Sequence, residues 1–351
     1  MTPPDVTVVT VTYDAADLVL TCLESLAAQR LGGLRMEVVV VDNASQDGTA
    51  DLVAAAHPWV TLVRSARNLG FAGGNNLALR AVRSRHVVLL NNDAVLGTDA
   101  VRTLVTALDS AAQDVAALAP TVLLAERFRH ARPDDAKTVR GPDGVWAPDP
   151  DGDVRLVNST GNEVRTDGFG VDRGWLADSA RHRPPRDVFG FSGAAAIIRT
   201  AALEDVGLFD ESFFMYYEDT DLSWRLRLAG HRVEHCPDVV VEHVHAASSD
   251  EGSAFFRFHD ARNRLAVLTK DASATLVTRA VVGFVLATAS LALRRRRWRL
   301  AAERSRALAS YLRMLPKLLH ARRRITRAAR VERSVVERCL VPASGGLSYR
   351  G

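Results

Sequence analysis

The sequence has little cysteine, and its N-terminus lacks the pattern of a secreted protein. Its 351 residues include three cysteines, Cys22, Cys236 and Cys339, which are far apart and form no CxxC pair. This usage excludes a disulfide framework and is typical of a reduced, cytosolic chain. The opening residues, MTPPDVTVVTVTYD, contain no basic segment followed by a long apolar one, so we expect no signal peptide.

The net charge is small, +4 at pH 7, but it is unevenly distributed. From Arg294 onward there are 17 Lys or Arg against 3 Asp or Glu, whereas the first 293 residues carry 28 basic and 38 acidic residues. The basic isoelectric point is therefore a property of the C-terminal segment. It gives no reason to expect nucleic acid as a partner of the main part of the chain.

Strand-like and helix-like patterns alternate through residues 1–120. Apolar, β-branched runs predict strands at Val6–Thr12, Glu37–Val41, Val60–Val63, His86–Leu90 and Val115–Ala119. Segments with helical spacing lie between them. Near-continuous apolar strands separated by helices predict an α/β fold with a mostly parallel sheet covered on both faces. Ligands bind beyond the carboxyl ends of such strands, where Asp14, Asp42 and Asp93 fall.

The composition becomes polar and rich in Pro and Gly at residues 126–155, which predicts a surface loop. Asp149, Asp151 and Asp153 lie within it. The Gly and Glu that a calcium-binding loop requires are missing from their positions, so we interpret these residues as an acidic turn.

The C-terminal region is expected to be helical and associated with a membrane. Leu276–Leu293 is nearly apolar but includes Arg279 and is short for a spanning helix. Arg294–Arg297 and Trp298 follow directly. The pattern favours a helical platform on an anionic membrane surface; a solvated basic coiled segment is the alternative. A chain ending near Lys270 is expected to stay soluble.

Carboxylates are dense in FFMYYEDTDLSWRLRLAG, residues Phe213–Gly230. Glu218, Asp219 and Asp221 there either offset a helix macrodipole or serve a reaction. Asp93, at the end of an apolar strand, forms a second acidic site. The two sites together suggest a metal-held, negatively charged substrate and a separate general base.

Six motifs, in order, resemble those of the family 2 glycosyltransferases with the GT-A fold, and especially the bacterial rhamnosyltransferase-like branch. They are VTVVTVTYD, VVVDNASQDGT, RNLGFAGGNN, LLNNDAVL, FGFSGAAAIIR and VGLFDESFFMYYEDTDLSWRLRLAG. The resemblance covers residues 6–270. It implies a GT-A domain at residues 1–252, made of a nucleotide-sugar half (1–120), the polar loop (126–155) and an acceptor half (156–252). A basic helical region follows at 253–351.

The resemblance implies a nucleotide-sugar pocket lined by Thr12, Asp14, Asp42, Arg67, Gly70, Gly74, Asn75 and Asn92. Asp42 would accept hydrogen bonds from a pyrimidine base, although it could also cap the turn that follows it. Gly70 and Gly74 would let the backbone approach a ligand, and Arg67 would meet a diphosphate. The segment is not a P-loop, since it lacks Gly-Lys-Ser/Thr.

Asn91-Asn92-Asp93 stands where the family has its D-x-D motif. Asp93 would bind Mg²⁺ or Mn²⁺, and Asn91 could add only an amide oxygen. His243 is a third expected ligand, which would favour Mn²⁺. His245, two residues on, is a weaker candidate.

The resemblance assigns Asp219 as the catalytic base, with Glu218 as the neighbouring candidate. Asp221 would hold the acceptor sugar and Trp224 would stack on it; the alternatives are a helix-surface and a core residue.

The implied protein is an inverting glycosyltransferase, peripheral on the cytoplasmic face of the membrane and possibly homo-oligomeric. It would move L-rhamnose from dTDP-rhamnose onto a lipid-linked or glycan acceptor. UDP-galactofuranose and UDP-hexoses are alternative donors. Two other classes are alternatives: a non-catalytic carbohydrate- or nucleotide-binding module, and a nucleotidyltransferase. The intact Glu218-Asp219 argues against the first, and the absence of a Gly-rich basic loop near residue 10 argues against the second.

Overall fold

Strands and helices alternate in the first part of the chain, as the sequence predicts. We describe residues 3–244, 253–294 and 297–343 of a computed structural model. The elements of this part are β1 (Val6–Thr12), α1 (Ala16–Ala27), β2 (Met36–Asp42), α2 (Thr49–Ala56), β3 (Thr61–Arg64), α3 (Gly70–Leu79), β4 (His86–Leu90), β5 (Ala94–Leu96), α4 (Ala100–Ser110) and β6 (Val115–Leu124). The predicted bounds of β1 and β4 are confirmed to the residue, those of β2 and β3 differ by one residue at each end, and β6 is twice as long as predicted.

Short strands make up most of the middle of the chain. They are β7 (Phe128–His130), β8 (Val139–Gly141), β9 (Gly144–Pro148), β10 (Val157–Ser159), β11 (Asn162–Val164), β12 (Gly170–Asp172), β13 (Asp187–Val188) and β14 (Ala195–Arg199), followed by α5 (Thr200–Val206), α6 (Glu218–Leu228) and β15 (Arg232–His243). Strand β15, with 12 residues, is the longest of these elements.

A central sheet with strand order β13-β15-β6-β14-β4-β1-β2-β3 positions the site. Strands β4, β1, β2 and β3 are parallel, as is the β6–β15 pair, whereas β14 runs antiparallel between β4 and β6. Helices cover both faces: Leu23 of α1 and Leu104 of α4 pack on one, Ala72 of α3 and Leu222 of α6 on the other. The predicted α/β architecture is confirmed.

Residues 126–155 are folded, so the prediction of a loop is wrong. β7, β9 and β8 form an antiparallel sheet over a small core that includes Phe128 and Trp146, both almost fully buried. Burying side chains of this size stabilises a fold by about 1.5–3 kcal/mol each. Asp149 pairs with Arg129 and accepts a hydrogen bond from the amide of Asp151, so the acidic turn is confirmed.

The C-terminal part is helical, with α7 (Ala254–Asp271), α8 (Ala274–Leu293), α9 (Trp298–Ala328) and α10 (Arg333–Val336). One hydrophobic cluster joins Trp224 of α6, Leu265 of α7, Phe284 of α8 and Tyr311 of α9. The predicted boundary at residue 252 therefore does not separate two hydrophobic cores. By length and composition α8 could cross a membrane, with a mean hydropathy of 1.9 and 22% of its most apolar window buried.

Candidate active site

The three predicted metal ligands meet at the carboxyl end of β4. Asn91 and Asp93 follow that buried strand, and His243 ends β15. The imidazole Nε2 of His243 lies 3.0 Å from Asp93 Oδ1 and 3.3 Å from Asn91 Nδ2. Pairing of β5 with β15, which sets Ala94 opposite His243, brings these segments together. His245 lies outside the described residues.

Asn158, which sequence reasoning missed, orients the imidazole. Its buried Oδ1 lies 2.7 Å from His243 Nδ1. Since an amide oxygen can only accept, Nδ1 is the donor in this bond, and Nε2 is the ring nitrogen that faces Asp93. The two residues meet because β10 and β15 flank the same end of β6. A single asparagine in a short strand carries no sequence signal of this role.

The donor set fits a divalent cation. Asp93 Oδ1 is buried beside the imidazole nitrogen of His243 at 3.0 Å. A carboxylate oxygen and an imidazole nitrogen are ligands that Mn²⁺ accepts. Asn91 turns its amide nitrogen toward His243, so the amide would have to rotate by half a turn to ligate through oxygen. Among the described residues, no three His, Cys, Asp or Glu side chains are placed to hold a metal ion together. A cation held here would complete its shell with water and diphosphate oxygens.

Asp219, at the start of α6, is held by hydrogen bonds to both carboxylate oxygens. Oδ2 accepts from Asn162 Nδ2 at 2.9 Å and from the amide of Gly193 at 3.0 Å. Oδ1 accepts from the amide of Thr220 at 2.6 Å. Burial raises the pKa of Asp219, and these hydrogen bonds oppose the rise. The result is a half-buried, oriented carboxylate of increased basicity.

The carboxyl group of Glu218 differs from that of Asp219 in its burial and hydrogen bonding. Its side chain is buried, and its Oε2 makes no hydrogen bond. Burial, and then the neighbouring Asp219 carboxylate, raise the pKa of Glu218 well above its ordinary value. Glu218 Oε2 has no donor to orient it, whereas hydrogen bonds hold both carboxylate oxygens of Asp219, so of the two candidates Asp219 is the better suited as a base.

One short backbone segment connects the carboxylate of Asp219 with the metal ligands. The amide of Gly193 donates to Asp219, and the next residue, Ala194, accepts a 2.9 Å hydrogen bond from the amide of Asn91. Antiparallel pairing of β14 with β4 fixes this arrangement. Asp219 and the predicted cation ligands therefore flank the same edge of the sheet.

Three predicted nucleotide-binding residues line that edge from β1, β2 and β4. Asn92 Nδ2 donates to Thr12 Oγ1 at 3.2 Å, and both residues are buried. Asp42 caps its turn by accepting from the amide of Ser45 at 3.2 Å, while its other oxygen is buried without a hydrogen-bond partner. Capping thus occupies one oxygen and leaves the second as an acceptor.

Asp14 and Arg67 are exposed. Asp14 has a φ of 46° and accepts a 2.7 Å hydrogen bond from the amide of Gln46, which fixes the turn after β2. Contact of either residue with a nucleotide stays a prediction.

The glycines of α3 are explained by packing within the protein, not by space for a ligand. A Cβ on Gly70 would lie 2.3 Å from the carbonyl oxygen of Phe214, and one on Gly74 would lie 2.7 Å from Val11. Asn75 is buried and donates to the carbonyl of Phe71 at 2.9 Å. The close backbone approach predicted for a ligand is therefore an approach of α3 to β1 and to the turn before α6.

The two residues assigned to the acceptor site lie in the interior, and that prediction is wrong. Asp221 has no exposed surface and forms ion pairs with Arg225 at 2.9 Å and Lys270 at 2.5 Å. Trp224 is fully buried and packs edge-to-face on Phe189. Both point to the inner side of α6, where an acceptor sugar cannot reach them.

Comparison with known proteins identifies the family. The model of glycosyl transferase family 2 matches residues 7–169, and that of glycosyl transferase family group 2 matches residues 165–323. Succinoglycan biosynthesis protein ExoO of Rhizobium meliloti (strain 1021) is 39% identical over 114 residues, 32% of this chain and 32% of ExoO. This chain therefore matches about a third of that relative.

A longer similarity exists to N-acetylglucosaminyl-diphospho-decaprenol L-rhamnosyltransferase of Mycobacterium tuberculosis (strain ATCC 25618 / H37Rv). It is 28% identical over 253 residues, 67% of this chain and 74% of that protein. Among solved structures, the mannosyltransferase PcManGT from Pyrobaculum calidifontis, in complex with GDP-Man and Mn²⁺, superposes with a TM-score of 0.50 at 22% identity, over 89% of this chain and 88% of that one. This structural likeness concerns the fold, which is GT-A. The chain belongs to the family 2 glycosyltransferases.

Proposed function

We propose that this protein is an inverting transferase that moves L-rhamnose from dTDP-rhamnose onto a lipid-linked or cell-surface glycan acceptor. The donor is supported by the similarity, over two thirds of the chain, to a mycobacterial L-rhamnosyltransferase named for a diphospho-decaprenol acceptor. UDP-galactofuranose and UDP-hexoses are the alternative donors that the test must include.

The observation that carries the proposal is the hydrogen-bonded carboxylate of Asp219 beside the end of β4. In this reaction the acceptor hydroxyl oxygen bonds to the anomeric carbon as the bond from that carbon to the diphosphate oxygen breaks. Asp219 takes the hydroxyl proton, and the nucleoside diphosphate leaves from the opposite face, which inverts the anomeric configuration. The bonds from Asn162 and Gly193 hold the carboxylate in one orientation for this transfer.

Asp93, His243 and, after amide rotation, Asn91 would hold a divalent cation. When bound, such an ion neutralises charge that develops on the leaving diphosphate. The buried free oxygen of Asp42 suits a donor group on the edge of a pyrimidine base. Thr12 and Asn92 close the same pocket from the adjacent strands.

We further propose that the protein lies on the cytoplasmic face of an anionic phospholipid bilayer. Val282, Leu286 and Leu293 of α8 are exposed, as is Trp298 at the start of α9. Exposed arginines flank this apolar surface at 279, 294, 297 and 299. Apolar side chains and tryptophan beside clustered arginine match the interface of an anionic membrane. Arg295 and Arg296 of the predicted cluster lie outside the described residues.

The test is incubation of the purified protein with dTDP-rhamnose, UDP-galactofuranose and UDP-hexoses, a polyprenol-diphosphate-linked sugar, and Mn²⁺ or Mg²⁺. Mass spectrometry would detect the transferred sugar, and NMR of the new linkage would give its anomeric configuration. We expect transfer of rhamnose with inversion. Retention of configuration, or nucleotide binding without any transfer, would contradict the proposal.

A further inference from the structure

The backbone turn immediately before α6 adopts an unusual conformation. Phe214, Tyr216 and Tyr217 all have positive φ angles, of 66°, 70° and 70°. Phe214 also has a ψ of −63°, and the amide of Met215 donates to the carbonyl of Phe213 at 2.8 Å. This is a γ-turn of the rare, strained kind. Residues other than glycine in such conformations cost about 1–3 kcal/mol each, so the surroundings must hold the turn in place.

One buried side chain of α7 satisfies the carbonyl groups of this turn. Asn263 has no exposed surface, and its Nδ2 lies 3.0 Å from the carbonyl oxygen of Phe213, 2.8 Å from that of Met215 and 2.7 Å from that of Tyr216. Its Oδ1 accepts a 2.8 Å bond from Arg262 Nε. Because arginine can only donate, this bond fixes which way the amide points.

The same turn touches the helix that follows β3. The carbonyl of Phe214 accepts from the amide of Ala72 at 3.2 Å, and Gly70 leaves the space that Phe214 fills. Arg262 adds a 2.8 Å bond to the carbonyl of Phe213. The turn is thus held between α3 and α7, and Asn263 provides the largest set of contacts from the α7 side.

We propose that Asn263 is a positioning residue for the base Asp219. Helix α6 begins directly after the turn, and its first turn starts with the 2.8 Å bond from the amide of Asp221 to the carbonyl of Tyr217. Asp219 lies inside this first turn, with no glycine or proline between it and Tyr217 to absorb a backbone change.

Loss of the Asn263 amide takes one donor from each of three carbonyl groups, of which that of Phe213 keeps Arg262 and the amide of Met215. The turn can then relieve its strain, and the start of α6 moves with it. A displacement of about 1 Å at a reacting group costs roughly 10²-fold in rate. Donor binding is expected to persist, because the residues of β1, β2 and β4 are not attached to the turn.

The inference rests on the proposed function, in which Asp219 is the base. Its test compares Asn263→Ala with Thr269→Val. Thr269 lies on the same helix, is equally buried and loses a 2.8 Å hydrogen bond to Tyr311 on α9, away from the turn. For Asn263→Ala we expect kcat to fall about 10- to 100-fold, the dissociation constant for the nucleotide sugar to stay within about twofold, and the acid limb of the kcat profile to shift. Thr269→Val should lower thermal stability and leave both kinetic quantities unchanged.

Turnover of Asn263→Ala equal to that of Thr269→Val would overturn the proposal, as would a parallel loss of kcat and donor binding. If Asn263→Ala does not fold, Arg262→Lys replaces it, since this change removes the Nε donor that orients Asn263 and keeps the cation. A loss of kcat with normal donor binding in Arg262→Lys supports the proposal, and normal turnover overturns it. Absence of transfer by the unmodified protein would refute the proposed function and this inference with it. Normal transfer by both the unmodified protein and Asn263→Ala would refute only the positioning role.

Discussion

Lys270→Met is expected to destabilise the catalytic part of the molecule strongly, although Lys270 lies at the end of α7. Its ammonium is almost fully buried, 2.5 Å from Asp221 Oδ1 and 2.9 Å from Asp210 Oδ2. Burial, and then the Asp221 carboxylate, raise the pKa of Asp271 well above its ordinary value. Lys270 contacts both Asp221 and Asp210, and Arg225 contacts Asp221.

Removing the ammonium leaves the buried Asp221 with Arg225, and leaves the half-buried Asp210 with the exposed Lys317. Breaking a buried ion pair by removing one partner typically costs about 3–5 kcal/mol. Burial alone would raise the pKa of Asp210, but attraction to Lys270 and a hydrogen bond from Ser212 hold it well below its usual range. In Lys270→Met much of that stabilisation of the Asp210 carboxylate is lost.

The assay is urea unfolding followed by circular dichroism, with Lys317→Met as the matched control. Lys317 Nζ lies 3.4 Å from the same Asp210, but 63% of its side chain is exposed. Exposed pairs contribute about 0–1 kcal/mol, so the control should lose at most about 1 kcal/mol of unfolding free energy. Equal losses in the two variants would refute the reasoning that these buried charges join α6 and α7.

Four other results are expected. Asp93→Ala should weaken nucleotide-sugar binding in calorimetry only when Mn²⁺ or Mg²⁺ is present, and a chelator should do the same to the unmodified protein; full turnover in excess chelator would contradict a metal role for Asp93 and His243. When kcat is measured as a function of pH, it should fall as the pH drops through the raised pKa of Asp219, because a base must lose its proton to act. A fall centred on the pKa of an ordinary aspartate would argue against this. Vesicles with anionic lipid should bind the protein more strongly than neutral ones in flotation assays, with the difference reduced by high salt, and Leu286→Glu should weaken both; equal binding to the two vesicle types would count against the membrane surface. A chain ended at Lys270 should aggregate, contrary to the expectation from sequence, because it loses α9 from the shared core; recovery of a soluble, nucleotide-binding fragment would refute that packing argument.

The parallel half of the sheet could be predicted from sequence because its strands are continuous apolar runs. β1 and β4 are buried on both faces, so their burial shows in the sequence as a nearly continuous run of apolar and β-branched residues. The small sheet at residues 126–155 could not be predicted in this way. Its strands have three to five residues, and its core depends on Phe128 and Trp146, which are separated by 18 positions of polar sequence.

The site residues that lie within a sequence motif could be predicted, whereas those placed only by tertiary contacts could not. Asp93, Asp219 and His243 were found through segments with a recognisable pattern. Asn158 and Asn263 are single asparagines that meet their partners only through strand pairing and helix packing. The prediction for Asp221 and Trp224 was wrong because it relied on their closeness to Asp219 in sequence. Residues two and five positions apart on a helix point in different directions, and these two side chains face the interior.

Replacement of the base tests the central claim most directly. Asp219→Asn is nearly isosteric and should leave folding and the dissociation constant for the donor close to those of the unmodified protein. Because an amide cannot take the acceptor proton, we expect kcat for transfer to fall by about two to four orders of magnitude. Rapid-quench or mass-spectrometric measurement of transfer at saturating donor gives the value. Turnover within a few-fold of the unmodified protein would contradict the assignment of Asp219 as the base.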